Sequence, residues 1–292
     1  MGVKERVTAR VVNLFSHGDK PLENTDKYQG DYGLFGPGSI SWEILGDVSS
    51  FVGGIRALLI QAAHPEVAAG VADHSRYRED PLGRLNRTAY YVTTMTYGAN
   101  PEIEYAIQMV RSAHVGVSGT SERKLSYSAS NAAHSAWVHN TLTDSFLEAF
   151  KIFRRPLSGE EADRFVSEQS LIGERMGANP LPKDAKALRA WIVDHPNTGP
   201  SEAMREAIVF LKKPPLSPVE RIGYRVLQQA ASSTIDAKMR ETLGLRPHAL
   251  SLSSGKVLIN SLRWALKASP SWKAALIRSG ADFDETLFRS DV

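Results

Sequence analysis

The chain contains no cysteine. Disulfides, thiolate metal sites, iron–sulfur clusters and cysteine nucleophiles are therefore excluded. Any soft ligation of a metal would have to come from its 8 histidines. No glutamate stands three residues before a histidine, and this absence disfavours a carboxylate-bridged di-iron bundle.

Long apolar runs and blocks of one charge are missing as well. The best membrane candidate, residues 51–72, is interrupted by Arg56, Gln61, His64 and Glu66, so we expect no transmembrane segment. The N-terminal stretch mixes charged and apolar residues and lacks a signal-peptide core. The 35 basic and 32 acidic residues are spread along the chain, which gives no indication of nucleic-acid binding. We expect a soluble, cytoplasmic protein, and the sequence does not predict its oligomeric state.

Period-two alternation is scarce, and no β-hairpin signal or internal repeat is found. Apolar residues recur instead at helical spacing, between segments that begin with capping residues. The predicted helix starts are Asp80-Pro81, Ser158, Ser201 and Ser217-Pro218, with a break at His64-Pro65. The sequence therefore predicts an all-α fold, which we take to be one helical domain over residues 1–292.

One stretch, residues 101–119, combines a strong helical pattern with a histidine. Its apolar stripe consists of Ile103, Ile107, Val110 and Val117. His114 falls on that stripe, so we expect its imidazole to point inward from a helix that ends at Gly119. The side chain is either a core histidine bonded to a neighbour or an axial ligand of a metal or haem iron. The spacing does not choose between these roles.

Other candidate residues lie on neighbouring predicted helices. Arg84, Arg87 and Thr88 stand three and four residues apart after Asp80, so they share a face and either converge on a ligand or form a solvated basic turn. His139 lies on an apolar face, where core packing with a hydrogen bond is its default role. The small residues around Gly53 permit close approach of a neighbouring helix or a flat ligand.

Four strings of the chain resemble a known family. They are GPGSISWEILGD at 36–47, the long segment from GGIRALLIQAAHP to GRLNRT at 53–88, the H-x-x-V-x-G string at 114–119, and WVHNTLTDSF at 137–146. Together they resemble the catalytic domain shared by rubber oxygenases of the latex-clearing type and MpaB-type oxygenases. The resemblance covers roughly residues 30–215, and we expect the helices of 216–292 to pack on the same core.

The resemblance implies a globin-like helical core that binds haem b. His114 would then be the proximal iron ligand. Arg111, about one helical turn earlier, would pair with a haem propionate or remain a surface arginine. Gln61 and His64 would face the pocket, where His64 either donates to bound dioxygen or only stabilises the helix break. We also place His139 among the cofactor-binding residues.

The chain departs from the family pattern on the distal side. Rubber-cleaving members carry R-x-x-K-T, whereas this chain has Arg84, Arg87 and Thr88 in those places. A guanidinium effectively cannot lose its proton and ligate iron as a buried amine can, so we expect no side chain from position 87 on the iron. No acidic residue convincingly matches the family's general base, and Asp80 is better explained as a helix cap.

The function predicted from this resemblance is a haem b-dependent oxygenase. It would use dioxygen on a small apolar substrate, unsaturated or isoprenoid-like, in a pocket lined by the 51–73 and 84–98 helices. Arg84, Arg87 and Thr88 would be the catalytic residues. The alternatives are a haem protein that stores, senses or handles peroxide without oxygenase turnover, and a helical protein whose pocket has lost haem.

Overall fold

The computed structural model describes residues 2–14, 20–267 and 269–282, and the fold is 67% helical. The helices are α1 (Val3–Leu14), α2 (Ile40–Gly46), α3 (Ser50–Gln61), α4 (Pro65–His74), α5 (Pro81–Tyr97), α6 (Asn100–His114), α7 (Ala132–Phe153), α8 (Gly159–Arg175), α9 (Ala185–Val193), α10 (Glu202–Lys212), α11 (Pro218–Thr234), α12 (Ala237–Thr242), α13 (Ser251–Leu266) and α14 (Pro270–Ser279). A 3₁₀ helix covers Thr25–Tyr28, and strands β1 (Ser118–Thr120) and β2 (Ser126–Ser128) form an antiparallel hairpin. The predicted all-α class is confirmed.

Local capping chemistry explains where several helices begin. The Asp80 carboxylate accepts the Gly83 amide at 2.9 Å, with Pro81 as the first residue of α5. Ser158 forms a capping box with Glu161 at the start of α8. His64 is the N-cap residue of α4 and separates it from α3. The predicted break at His64-Pro65 is therefore confirmed.

The end of α6 differs from the prediction. The helix stops at His114, and Gly116 takes the left-handed conformation with a φ of +82°, so the predicted end at Gly119 is wrong. Gly119 instead lies in β1, opposite Tyr127 of β2. The hairpin escaped prediction because its strands have only three residues each, Ser-Gly-Thr and Ser-Tyr-Ser, and show no run of alternating apolar residues.

The chain divides into two compact units. The first consists of residues 1–48, 76–110 and 259–292. Its core includes Trp42, Tyr97 and Trp272; the Trp42 indole donates to the Thr96 carbonyl at 2.8 Å, and the Tyr97 hydroxyl donates to the Trp42 carbonyl at 2.7 Å. Arg278 is fully buried, and its guanidinium donates to the carbonyls of Asp31 and Tyr97 and to the Thr25 hydroxyl.

The second unit consists of residues 49–75 and 111–258 and is built on the packing of α3 against α7. Gly53 permits this packing, because a Cβ atom there would lie 2.7 Å from the Phe146 ring. The Arg56 guanidinium crosses the same interface and donates to Asp144 at 2.7 Å and to Ser145 at 2.8 Å. Close helix packing is thus the role of Gly53, while a single domain over the whole chain stays a prediction.

Candidate functional site

His114 occupies the last position of α6, and its side chain is exposed. Ile103 and Ile107, which lie on the same stripe, are buried. The helix ends at His114, where the stripe is no longer packed against a core. The prediction of an imidazole pointing into the core is therefore wrong. Desolvation by the surrounding protein nevertheless lowers the pKa of His114. The ring is neutral at pH 7 and accessible, which is the state that a metal ligand requires.

The hairpin that follows His114 is fastened to α4. The Val117 amide donates to the His114 carbonyl at 3.1 Å, and the Ala129 amide donates to the Val117 carbonyl at 2.9 Å. His74 Nε2 lies 3.1 Å from the Ser118 carbonyl oxygen, so this ring nitrogen carries the proton and donates it. The segment after the histidine is thereby held by contacts outside α6.

Tyr127 is the centre of the same contact. It is 5% exposed, and its hydroxyl lies 2.5 Å from Asp73 Oδ2 and 3.3 Å from His74 Nε2. Burial and the neighbouring Asp73 carboxylate raise the pKa of Tyr127 to about 12, so the phenol stays protonated and donates to Asp73. Gly119 lies beneath the phenol, where a Cβ atom would come within 2.4 Å of the hydroxyl oxygen.

Glu66 on α4 binds the turn of the hairpin. It is 3% exposed and accepts the Ser121 hydroxyl at 2.8 Å and both the Nε and Nη2 groups of Arg123. Burial acts to raise the pKa of Glu66, but the hydrogen bonds from Arg123 and Ser121 outweigh it, and the pKa lies below its usual value. Glu66 is therefore an ionised, paired carboxylate rather than a general base.

His64 forms part of a group of rings that the sequence does not predict. Its side chain is 2% exposed, and its ring centroid lies 5.4 Å from those of both His134 and His195 and 5.7 Å from Trp137. Desolvation, followed by the charge of His195, lowers the pKa of His64 to about 4. No group of three or more histidine or acidic side chains within the described ranges is arranged to hold a metal ion. Within this group His64 is a packed and neutral ring.

Three of the predicted cofactor-binding residues have structural partners. Gln61 donates to the Val138 carbonyl at 3.2 Å, which ties the end of α3 to α7. Arg111 donates to the Arg175 carbonyl at 2.7 Å and caps the C-terminus of α8. His139 packs against α8, where a Cβ atom added at Gly173 would lie 2.9 Å from the imidazole, and burial lowers its pKa to about 4. These contacts give each residue a structural role, and its part in cofactor binding stays a prediction.

The predicted catalytic residues all lie on α5, but they do not converge. Arg84 is half-buried, with its guanidinium 5.9 Å from the Tyr77 ring centroid, and desolvation lowers its pKa. Arg87 is exposed and pairs with Asp80 at 3.2 Å across the first turn of the helix. The exposed Thr88 donates its hydroxyl to the Arg84 carbonyl at 3.1 Å. The ion pair with Asp80 gives Arg87 a structural role at the start of α5.

Comparison with known families agrees with the strings found in the sequence. The model of the family described as ER-bound oxygenase mpaB/B′ and rubber oxygenase, catalytic domain, matches residues 42–267. No curated protein and no solved structure shows significant similarity to the chain. None of the described helices combines the length and apolar content needed to cross a bilayer. The family match covers most of the chain, and the protein therefore belongs to the mpaB/rubber oxygenase catalytic-domain family.

Proposed function

We propose that the protein is a haem b-dependent oxygenase that acts with dioxygen on a small apolar, unsaturated or isoprenoid-like substrate. Family membership supports oxygenase activity. The observation that supports the cofactor is His114, an accessible, neutral imidazole at the end of α6. One such side chain would be enough, because a haem macrocycle itself supplies four nitrogen ligands to the iron. The choice of haem therefore rests on the family match and on this one imidazole donor.

His114 and Arg84 would have separate roles in this activity. When bound, haem would supply the iron chemistry that activates dioxygen. His114 would hold the group through one ring nitrogen. Arg84 would supply a fixed positive charge, since a guanidinium keeps its proton even when desolvation lowers its pKa. A donor that is already in place before the reaction stabilises negative charge that develops on oxygen, because the donor does not have to move first.

A second candidate, haem binding without oxygenase turnover, is favoured by one observation. Arg87 stands where rubber-cleaving members carry a lysine, and it is directed to Asp80 rather than toward Arg84 and Thr88. Arg87 is then engaged at the start of α5 rather than with a substrate or oxygen. Oxygen consumption that depends on an apolar alkene distinguishes the two candidates.

We predict that Arg84→Leu lowers the rate of alkene-dependent oxygen uptake about 100-fold, because a preorganised charged donor is lost. The matched change Arg87→Leu should lower the rate of oxygen uptake less than about fivefold. Arg87 is paired with Asp80 on the surface, and an exposed ion pair contributes only ~0–1 kcal/mol to stability. The measurement is oxygen uptake by hemin-loaded protein with squalene, and the saturated analogue squalane is the control substrate. Equal losses in both variants would contradict the role of Arg84. No uptake with squalene by the wild type would favour the second candidate.

A further inference from the structure

A row of large apolar side chains lies on the outer side of α13. Leu250, Val257 and Trp264 are 74%, 68% and 56% exposed. They follow one another at seven-residue spacing along a helix that is unbroken from Ser251 to Leu266. Helix geometry alone therefore places them on one side, roughly 10 Å apart along the axis. We call these three residues the α13 row. A single exposed apolar side chain needs no explanation, but a regular row indicates a binding surface.

The opposite side of α13 is packed, which fixes the direction of the row. Ile259 is fully buried, and Gly255 lies so close to α11 that a Cβ atom there would come within 2.5 Å of the Ala230 side chain. The buried Arg263 donates to both carboxylate oxygens of Asp47, at 2.7 and 2.8 Å. The helix cannot rotate to bury the row without breaking these contacts. The row is therefore a lasting feature of the surface.

The charge around the α13 row has one sign. The sequence contains no aspartate or glutamate from 242 to 281. Lys256 is exposed beside Val257, and the exposed Lys267 follows the end of the helix. Lys4 of α1 adds a third cation, with its Nζ atom 5.5 Å from the Trp264 ring centroid. An apolar row bordered by cations fits a partner that is both apolar and negatively charged.

We propose that the α13 row binds the surface of an anionic lipid bilayer. The helix would lie in the plane of the interface, with Leu250 and Val257 entering the boundary between headgroups and acyl chains. Trp264 suits the same depth, because its ring is apolar and its indole N–H can donate to a headgroup. The stems of Lys256 and Lys267 can lie along apolar surface while their ammonium groups reach the lipid phosphates.

Two other partners fit these residues less well. A second copy of the chain would bring the same lysines to the contact, and like charges repel at short distance. A single-stranded nucleic acid would pair with the lysines and stack on Trp264, but it would leave Leu250 and Val257 in water. A bilayer accepts both the apolar and the cationic side chains. This binding does not depend on the proposed function, because no residue of α5 or α6 takes part.

Co-sedimentation of the full chain with lipid vesicles tests this binding. We expect binding to vesicles of phosphatidylcholine and phosphatidylglycerol in a two-to-one ratio, and much weaker binding to phosphatidylcholine alone. Each cation near an anionic surface strengthens binding about fivefold, so Lys256→Glu should weaken it about 25-fold. Val257→Asp should weaken it at least about 10-fold, because an apolar contact is replaced by a negative charge. Binding should also fall as NaCl rises from about 0.1 M to about 1 M, where the Debye length falls from about 10 Å to about 3 Å.

Two matched variants control for effects elsewhere on the surface. Val209 on α10 is 66% exposed, so Val209→Asp makes the same change on another helix. Lys186→Glu likewise reverses an exposed charge on α9. Both variants should change the binding of anionic vesicles less than about twofold, since only side chains near the bilayer contribute.

The fluorescence of Trp264 gives a second readout of the same contact. Of the 5 tryptophans, it is the exposed one; Trp42, Trp137 and Trp272 are buried, and Trp191 is half-buried. We expect the emission to shift to shorter wavelength when anionic vesicles are added, because the indole leaves water. This shift should disappear in Trp264→Phe.

Three results would overturn the proposal. The first is a wild type that does not bind anionic vesicles, or equal losses of binding in Val257→Asp and Val209→Asp. The second is a dimer in solution that Val257→Asp dissociates, without vesicle binding, which would show that a second copy covers the row. The third is binding of a single-stranded oligonucleotide that Lys256→Glu abolishes, again without vesicle binding, which would assign the row to nucleic acid.

Discussion

Asp144→Asn is expected to lower the free energy of unfolding by about 3–5 kcal/mol, because it leaves the guanidinium of Arg56 buried without its countercharge. Arg56 and Asp144 have side chains only 1% and 3% exposed, and their atoms lie 2.7 Å apart. The second cation, Arg189, is 3.6 Å from the same carboxylate oxygen and would be left with only its 3.8 Å pair to Glu148. A guanidinium cannot escape this cost by losing its proton.

The matched control is Asp194→Asn, which removes the same charge from an exposed ion pair with Lys238. That change should cost less than about 1 kcal/mol. Urea unfolding of wild type and both variants, followed by far-ultraviolet circular dichroism, gives the comparison. Similar midpoints for all three proteins would show that the Arg56–Asp144 pair does not carry the expected penalty.

Acidification from pH 7.5 to pH 5 is expected to destabilise the protein by about 4 kcal/mol, or about 2 kcal/mol from each of His64 and His139. The pKa of each is lowered from 6.5 to about 4 in the folded protein. The unfolded chain therefore binds protons first as the pH falls. The contribution of the two neutral histidines to the free energy of unfolding is fully present above pH 6.5. It is lost as the pH falls from 6.5 to 4, and below pH 4 these two groups cause no further loss.

The cause lies in the surroundings of each ring. His64 is packed among His134, His195, Glu66 and Arg123, and only the Glu66 charge favours its protonated form. His139 is desolvated where α7 meets α8. The measurement is the free energy of unfolding from urea titrations at half-unit pH steps. His139→Asn should reduce the slope between pH 6 and pH 5 by about 1.4 kcal/mol per pH unit, the value for one proton. A stability that is flat or rises over this range would contradict both assignments.

The parts of the fold that depend on local chemistry could be predicted from the sequence. The start of α5 follows from Asp80 and Pro81, and the start of α8 follows from the capping box at Ser158, because each involves residues within one turn. The break between α3 and α4 follows from Pro65 in the same way. None of these features requires knowledge of distant contacts.

The parts that depend on distant residues were missed or misplaced. The rings around His64 come from α3–α4, α7 and the end of α9, and no spacing along the chain indicates that they meet. The sequence predicts a helix end at Gly119, because both Gly116 and Gly119 can stop a helix. Only the docking of Tyr127 assigns Gly119 to a strand. Arg56 and Asp144 likewise lie in two different strings that resemble the family. The sequence shows that resemblance, but it does not indicate that the two side chains pair.

The measurement that tests the central proposal most directly is a hemin titration followed by absorption spectroscopy on wild type, His114→Ala and His248→Ala. His248 is the matched control, because it is also an exposed histidine. The proposal predicts that wild type and His248→Ala take up one equivalent of hemin with the same Soret band, and that this band is lost or shifted in His114→Ala. An unchanged band in His114→Ala, or a wild type that takes up no hemin, would contradict it.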